Sequence, residues 1–211
     1  KDFTGIAQFG RFTCALVVIP SLNVNTLKEF IALAQANPGK FNYGSSGVGS
    51  SNHLWAALFN KAVKINLAHV PYKGSGEVII ALLSNQVQMQ VTTPTAVLGY
   101  ITSGKLRGLA VTTEGKRSPL LPDVPSMTEV GISGMTIYAW AGLVGPAGMS
   151  KEVVNRLHNE VVRTSAVPSV NEQLGKLGEI VGSSPEEFSA FVRNDLQRWS
   201  EVIKSAGITA D

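Results

Sequence analysis

The sequence predicts an α/β fold in which a parallel β-sheet carries helices on its faces. Short apolar runs alternate with segments whose apolar residues recur at helical spacing, and Gly, Pro, Asn and Ser residues separate them. The chain has 211 residues, of which 44% are hydrophobic and 16% are charged, as is typical of globular proteins. This length suits one large domain or two small lobes.

The first two thirds of the chain contain this alternation. Asn25 or Thr26 is expected to cap the first helix. The second helix presents Leu54, Ala57 and Leu58 as its apolar face. The predicted strands span residues 14–19, 41–43, 65–70, 87–91 and 106–111, and the predicted helices span 26–36, 51–61, 77–83 and 95–101.

The last third of the chain is mainly helical. Ser150 is placed to cap the first of these helices. Ser184 and Glu187 have the spacing of a capping box, and Pro185 between them suits the first position of a helix. The predicted elements are a strand over 136–144 and helices over 150–165, from 168 onward, and over 184–205.

Composition excludes several classes of function. The formal net charge is only +3, without runs of Lys and Arg, so a nucleic-acid surface is not expected. The three histidines lack carboxylate or thiolate neighbours at ligand spacing, so we expect no metal. No cofactor motif is present either. The single cysteine, Cys14, is interpreted as a small buried residue.

The string YGSSGVGSS at residues 43–51, called the Gly/Ser loop below, lies between a predicted strand and a predicted helix. Glycines allow close backbone approach, hydroxyls can donate, and a helix start exposes unpaired N–H groups. The loop is thus a candidate anion site, although a plain turn with Ser50 or Ser51 as helix cap remains open. The candidate ligand residues in it are Ser45, Ser46, Gly47, Gly49 and Ser50.

Two more turns follow strands, and the C-terminal ends of parallel strands share one edge of a sheet. In the first turn Tyr72 could wall a cleft, and Lys73 could supply a positive charge or be an ordinary surface lysine. In the second turn the hydroxyls of Thr92 and Thr93 could bind ligand or cap the next helix. The further candidates are Tyr72, Lys73, Gly74, Thr92, Thr93 and His53, although His53 could equally be a capping or partly buried histidine.

A hydrolase is the alternative from another class. The Gly/Ser loop is similar to the serine-rich loop of amidase-signature enzymes, which use a lysine to activate a serine pair. The lysines before the loop are poorly placed for that role: Lys28 lies on a predicted helix, and Lys40 lies beside a turn. Since no nucleophile-elbow motif is present, we predict that the chain is not an enzyme.

Several long motifs, in order along the chain, resemble the tripartite tricarboxylate transporter receptors, also called the Bug family. The first is KFNYGSSGVGS at residues 40–50, which matches the family's Gly/Ser loop pattern. HVPYKG follows at residues 69–74. The other matching segments are residues 104–112, 117–125 and 185–188, with Trp199 near the end.

This resemblance implies a periplasmic binding protein type II-like receptor whose two lobes close on a small carboxylate and deliver it to a membrane permease. Relative to that pattern, residues 15–145 correspond to one complete lobe, and residues 1–14 with 146–211 correspond to part of the other. We therefore expect a truncated chain, whose incomplete lobe a partner chain could cover. A sensory relative that has no permease remains a second alternative.

Overall fold

The computed structural model describes residues 2–113 and 115–209, which fall into two units. Unit 1 contains the residues up to Phe12 together with Ala139–Ser200, and unit 2 contains Thr13–Tyr138 together with the residues from Glu201 onward. The strands are β1 (Phe3–Thr13), β2 (Ala15–Val18), β3 (Asn42–Ser45), β4 (Ala68–Pro71), β5 (Met89–Thr92), β6 (Arg107–Val111), β7 (Tyr138–Pro146) and β8 (Glu179–Ile180). The α-helices are α1 (Leu27–Ala36), α2 (Ser51–Ala62), α3 (Ser75–Leu83), α4 (Pro94–Thr102), α5 (Lys151–Ser165), α6 (Pro168–Leu177) and α7 (Pro185–Ser205).

A five-stranded sheet with the order β4-β3-β5-β2-β6 forms the centre of unit 2. β3 runs parallel to both β4 and β5, as expected, whereas β2 runs antiparallel to β5 and β6. The expectation of a wholly parallel sheet is therefore wrong for β2. All four residues of β2 are buried, and an apolar run of this kind has the same pattern in either strand direction.

Helix α2 packs against β3 and β5. Its most deeply buried apolar side chains are Trp55, Ala56 and Phe59, while Leu54 and Leu58 of the predicted apolar face are only partly buried. The residues from 54 to 59 are all apolar, so helical periodicity alone did not determine which side of α2 faces the sheet. On the other face of the sheet, helices α3 and α4 contribute to a second apolar cluster with Val17 and Val111.

Unit 1 contains a three-stranded sheet with the order β7-β1-β8 and the helices α5 and α6. Strand β1 pairs antiparallel with β8 and was not predicted, because glycines and polar residues interrupt its apolar pattern. The predicted capping box is present: the Ser184 N–H donates to Glu187 Oε2 at 2.9 Å, and the Glu187 N–H donates to Ser184 Oγ at 3.2 Å. Across the described residues, none of the helices is long and apolar enough to cross a membrane.

Candidate functional site

The parallel strands of unit 2 bring the three predicted turns to one edge of the sheet. Strand β3 ends at Ser45 and pairs in register with Pro71, the last residue of β4. Strand β5 runs in the same direction and ends at Thr92. The Gly/Ser loop, the turn at Tyr72 and the Thr92-Thr93 turn therefore begin at the same edge, which is where α/β proteins place their ligands.

The Gly/Ser loop folds around the carbonyl group of Gly47. The hydroxyls of Ser45 and Ser50 donate to this oxygen at 2.9 and 2.6 Å, and the Ser50 N–H donates to it at 3.2 Å. Gly47 has φ = 123° and Gly49 has φ = 74°, and residues with a Cβ are strained at such angles. The loop shape thus depends on glycine at two positions.

Asn52, in the first turn of α2, holds the loop from the helix side. Its Oδ1 accepts hydrogen bonds from the Ser46 N–H at 3.2 Å, the Ser46 hydroxyl at 3.1 Å and the Ser50 hydroxyl at 2.8 Å. Asn52 was not predicted as a site residue. The available signal was a polar residue at the start of a helix that is apolar from residue 54 onward.

The side chains of two histidines, His53 and His69, also contact the Gly/Ser loop. The Gly49 N–H donates to His53 Nδ1 at 3.0 Å, and His69 Nε2 lies 2.6 Å from Ser45 Oγ. The two imidazole rings are stacked, with centroids 3.7 Å apart and planes at 10°, and Tyr43 stacks on His69 at 5.0 Å. His69 lies in one of the matched motifs but was not predicted as a site residue, because only the tertiary structure brings β4 beside α2.

The environment of these rings disfavours charge. Burial lowers the pKa of His53 from its usual value. Burial, followed by the charge of His53, lowers the pKa of His69 to about 4. Burial also raises the pKa of Tyr43 to about 12. All three side chains are therefore neutral at neutral pH.

The second turn is joined to the first by the backbone. The Tyr72 N–H donates to the Ser45 carbonyl at 2.8 Å, and the Tyr72 ring packs at the border of the apolar cluster on the α3 side. The Lys73 side chain is exposed, and the backbone N–H of Lys73 donates to Glu77 Oε2 at 3.1 Å. Gly74 is the N-cap residue of α3.

The third turn differs in exposure between its two residues. Thr92 is buried at the end of β5. Thr93 is the N-cap residue of α4, and its hydroxyl accepts a hydrogen bond from Thr95 Oγ1 at 3.2 Å. The Thr93 side chain makes no capping bond to the backbone of α4.

The start of α2, directly after the Gly/Ser loop, keeps donors for a ligand. Several polar groups of the loop itself are already paired, as described above. The side chain of the N-cap residue Ser50 makes no capping bond to the first turn of α2, and the N–H groups of Ser51, Asn52 and His53 have no partner inside the helix. These groups carry the positive end of the helix dipole, and no charged side chain lies in residues 43–51. The arrangement can bind an anion through dipoles alone.

A family model described as the tripartite tricarboxylate transporter family receptor matches residues 1–208. The chain belongs to this receptor family. A relative from Pseudomonas sp. strain P51, named UPF0065 protein in tcbD-tcbE intergenic region, is 31% identical over 213 residues, which cover 100% of this chain and 63% of that protein. The receptor chain thus spans less than two thirds of that relative's length.

Solved structures of similar receptors have the same fold. The R. palustris protein Rpa4515 with adipate gives a TM-score of 0.88 at 32% identity, over 99% of this chain and 70% of that one. The periplasmic binding protein BugD gives a TM-score of 0.85 at 31% identity, over 99% of this chain and 71% of that one. These neighbours confirm the predicted α/β, periplasmic binding protein type II-like fold.

The family is one of receptors rather than enzymes, in agreement with the prediction that the chain is not an enzyme. The contact between Ser45 and His69 resembles the nucleophile and base of a hydrolase. However, Ser45 is completely buried, and the lowered pKa of His69 makes it a weak base at neutral pH. This serine and histidine have the properties of a structural pair.

Proposed function

We propose that this chain belongs to a periplasmic receptor that captures a small organic carboxylate and delivers it to a membrane permease of the tripartite tricarboxylate type. The observation that carries the proposal is the uncharged Gly/Ser loop, whose backbone leads into the uncapped N-terminus of α2. Dipoles of this kind stabilise an anion without an ion pair. The adipate in the related structure of Rpa4515 is a carboxylate, and this supports the same class of ligand here.

The proposed contacts lie at the edge of the sheet where β3, β4 and β5 end. The N–H groups at the start of α2 would hold one carboxylate group against the Gly/Ser loop, and Tyr72 would form an apolar wall beside it. The exposed Lys73 side chain would supply longer-range attraction. The residues proposed to bind ligand are Ser46, Gly47, Gly49, Ser50, Tyr72, Lys73, Gly74, Thr92 and Thr93, while Ser45 and His53 are proposed to hold the Gly/Ser loop in position.

The proposal assigns residues 15–145 to one lobe and the remaining residues to part of a second lobe. Unit 1 has an apolar groove of about 350 Å³ lined by Phe9, Leu143, Leu157 and Val161, among others. Relatives such as the Pseudomonas protein are longer than this chain. We propose that additional polypeptide, in the same protein or in a partner chain, covers this groove in the working receptor.

Thermal unfolding in the presence of a dicarboxylate panel tests the proposed function. Adipate is expected to raise Tm, because a ligand that binds only the native state stabilises it. Adipamide has the same length without charge and is the matched control ligand, which should leave Tm unchanged. If adipamide stabilises the protein as well as any carboxylate does, the site does not select anions and the proposal is wrong.

The same measurement is made with a chain of the relatives' full length. We expect tighter carboxylate binding by the longer chain, because a cleft needs both of its walls. Replacing Ser46 by alanine in either chain should weaken carboxylate binding. We expect no hydrolysis of amides with or without this substitution. Amide turnover that disappears in Ser46→Ala would instead support the hydrolase alternative.

A further inference from the structure

The imidazoles of His53 and His69 make two of the hydrogen bonds that define the Gly/Ser loop. They act on different residues, since His53 holds Gly49 and His69 holds Ser45. Both bonds lie inside unit 2 and near the first turn of α2. The position of the loop relative to the helix N-terminus therefore depends on these two side chains.

The hydrogen-bond network constrains the protonation of both rings. The Gly49 N–H points at His53 Nδ1, so this nitrogen must carry a lone pair and no proton. Ser45 Oγ lies 2.9 Å from the Gly47 carbonyl oxygen and 2.6 Å from His69 Nε2, so its one proton can go to either, and His69 Nε2 is accordingly the donor or the acceptor of their bond. Both contacts fit neutral imidazoles, and His53 must have its proton on Nε2.

A second proton on either ring conflicts with this arrangement. On His53 it would occupy Nδ1 and break the bond from Gly49. On His69 it would make both ring nitrogens donors, so that Nε2 could no longer accept a hydrogen bond from Ser45 Oγ, and it would charge a ring whose centre lies 3.7 Å from that of His53. Protonation of either ring therefore acts on a bond of the loop, and protonation of both stacked rings at once adds repulsion between two like charges.

The elements around the rings offer no compensating negative charge. Strands β3 and β5, which pack against α2, contain no Asp, Glu, Lys or Arg. Tyr43 of β3 is neutral over the pH range of interest, because burial raises its pKa to about 12. Lys61 is the one charged residue of α2, two turns beyond His53. Glu77 of α3 accepts the backbone N–H of Lys73 and is exposed.

We propose that His53 and His69 are positioning residues that hold the Gly/Ser loop in its anion-binding shape only while both imidazoles are neutral. This deepens the proposed function and rests on it for the ligand. It also predicts the sign of a pH effect. A protonated histidine that contacted the carboxylate directly would strengthen binding in acid, whereas loss of the loop shape weakens it.

The ligand-free protein tests the positioning role by NMR between pH 8 and pH 3. We expect the imidazole signals of His53 and His69 to titrate below their usual range. The protection of the Gly49 amide against hydrogen exchange should fall about tenfold one pH unit below the midpoint of the His53 titration. Ordinary titration of both rings, with the Gly49 amide unchanged, would refute the proposal.

Two variants replace a titrating nitrogen by a non-titrating group of similar reach. In His53→Asn the amide oxygen takes the position of Nδ1, and in His69→Gln the amide takes that of Nε2. His53→Asn should keep Gly49 protected throughout the pH range. His158→Asn, in unit 1, is the matched control and should behave as the unmodified protein. If the Gly49 amide in His53→Asn shows the full pH dependence of the unmodified protein, His53 and His69 do not position the loop. The same conclusion follows if both variants fold and neither changes the pH dependence of the Gly49 amide.

Adipate affinity, measured by calorimetry over the same pH range, completes the test. The ratio of the two proteins' affinities removes the protonation of adipate itself. The unmodified protein should lose about tenfold relative to His53→Asn one unit below the midpoint. A relative gain in acid would refute the positioning role. If neither protein binds any carboxylate while the NMR result stands, the proposed function fails and the positioning of the loop does not.

Discussion

Replacing Asn52 by alanine removes the acceptor on which three hydrogen bonds of the Gly/Ser loop converge. The bond from Ser50 costs little, because its hydroxyl has the Gly47 carbonyl as a second acceptor at 2.6 Å. The Ser46 N–H and hydroxyl lose their partner, and each such bond contributes about 1 kcal/mol. We expect Asn52→Ala to lower the free energy of unfolding by about 2 kcal/mol.

Asn52→Asp is the matched variant, since a carboxylate oxygen can accept the same bonds. It also places a negative charge in the first turn of a helix, which is favourable by about 0.5 kcal/mol. Its free energy of unfolding should therefore stay close to that of the unmodified protein. Its affinity for a carboxylate ligand should instead fall at least about tenfold, because two like charges would share one site.

Urea unfolding followed by circular dichroism gives the stability of each variant, and calorimetry gives the affinity. The informative result is the contrast: alanine lowers stability, whereas aspartate lowers mainly affinity. Equal stability of the alanine and aspartate variants would show that the Asn52 oxygen does not hold the loop. Unchanged carboxylate affinity in Asn52→Asp would show that the anion binds elsewhere.

Three further changes give measurable results. Gly47→Ala should lower the free energy of unfolding by about 1–3 kcal/mol in urea titrations, since φ is 123° there. Gln90 is fully buried, and among the described residues neither its amide nitrogen nor its amide oxygen has a hydrogen-bond partner. Gln90→Leu should therefore raise Tm, and a lower Tm would point to an internal water on the amide. The lowered pKa values of His53 and His69 mean that the unfolded chain binds more protons below pH 6.5. Stability should be complete above pH 6.5 and fall toward pH 4, by at most about 1.4 kcal/mol per pH unit for each histidine, and His69→Gln should flatten this slope in urea titrations at several pH values.

Features that depend on neighbouring residues could be predicted from the sequence. The Ser184–Glu187 capping box is an example, because both of its bonds span three residues. The start of α2 directly after the Gly/Ser loop was also predicted, because serine and glycine mark a helix N-terminus. The placement of three turns at one edge followed from the direction of β3, β4 and β5.

Features that depend on tertiary contact could not be predicted. The direction of β2 is set by the path of the chain, and its apolar residues fit either direction. His53 lies on α2 and His69 lies on β4, so the stacking of their rings depends on how these two elements pack in the folded protein. The role of Asn52 appears only once the loop folds back on its own helix.

The uncharged Gly/Ser loop has a consequence for how such receptors diverge. An anion held by backbone N–H groups depends on the path of the main chain, and every residue except proline carries the same group. In the proposed site, other side chains around the loop can therefore change without loss of the carboxylate contact, as long as the two glycines and the side chains of Asn52, His53 and His69 that hold the loop are kept. A receptor of this design can exchange one organic acid for another while its way of holding the acid group stays the same.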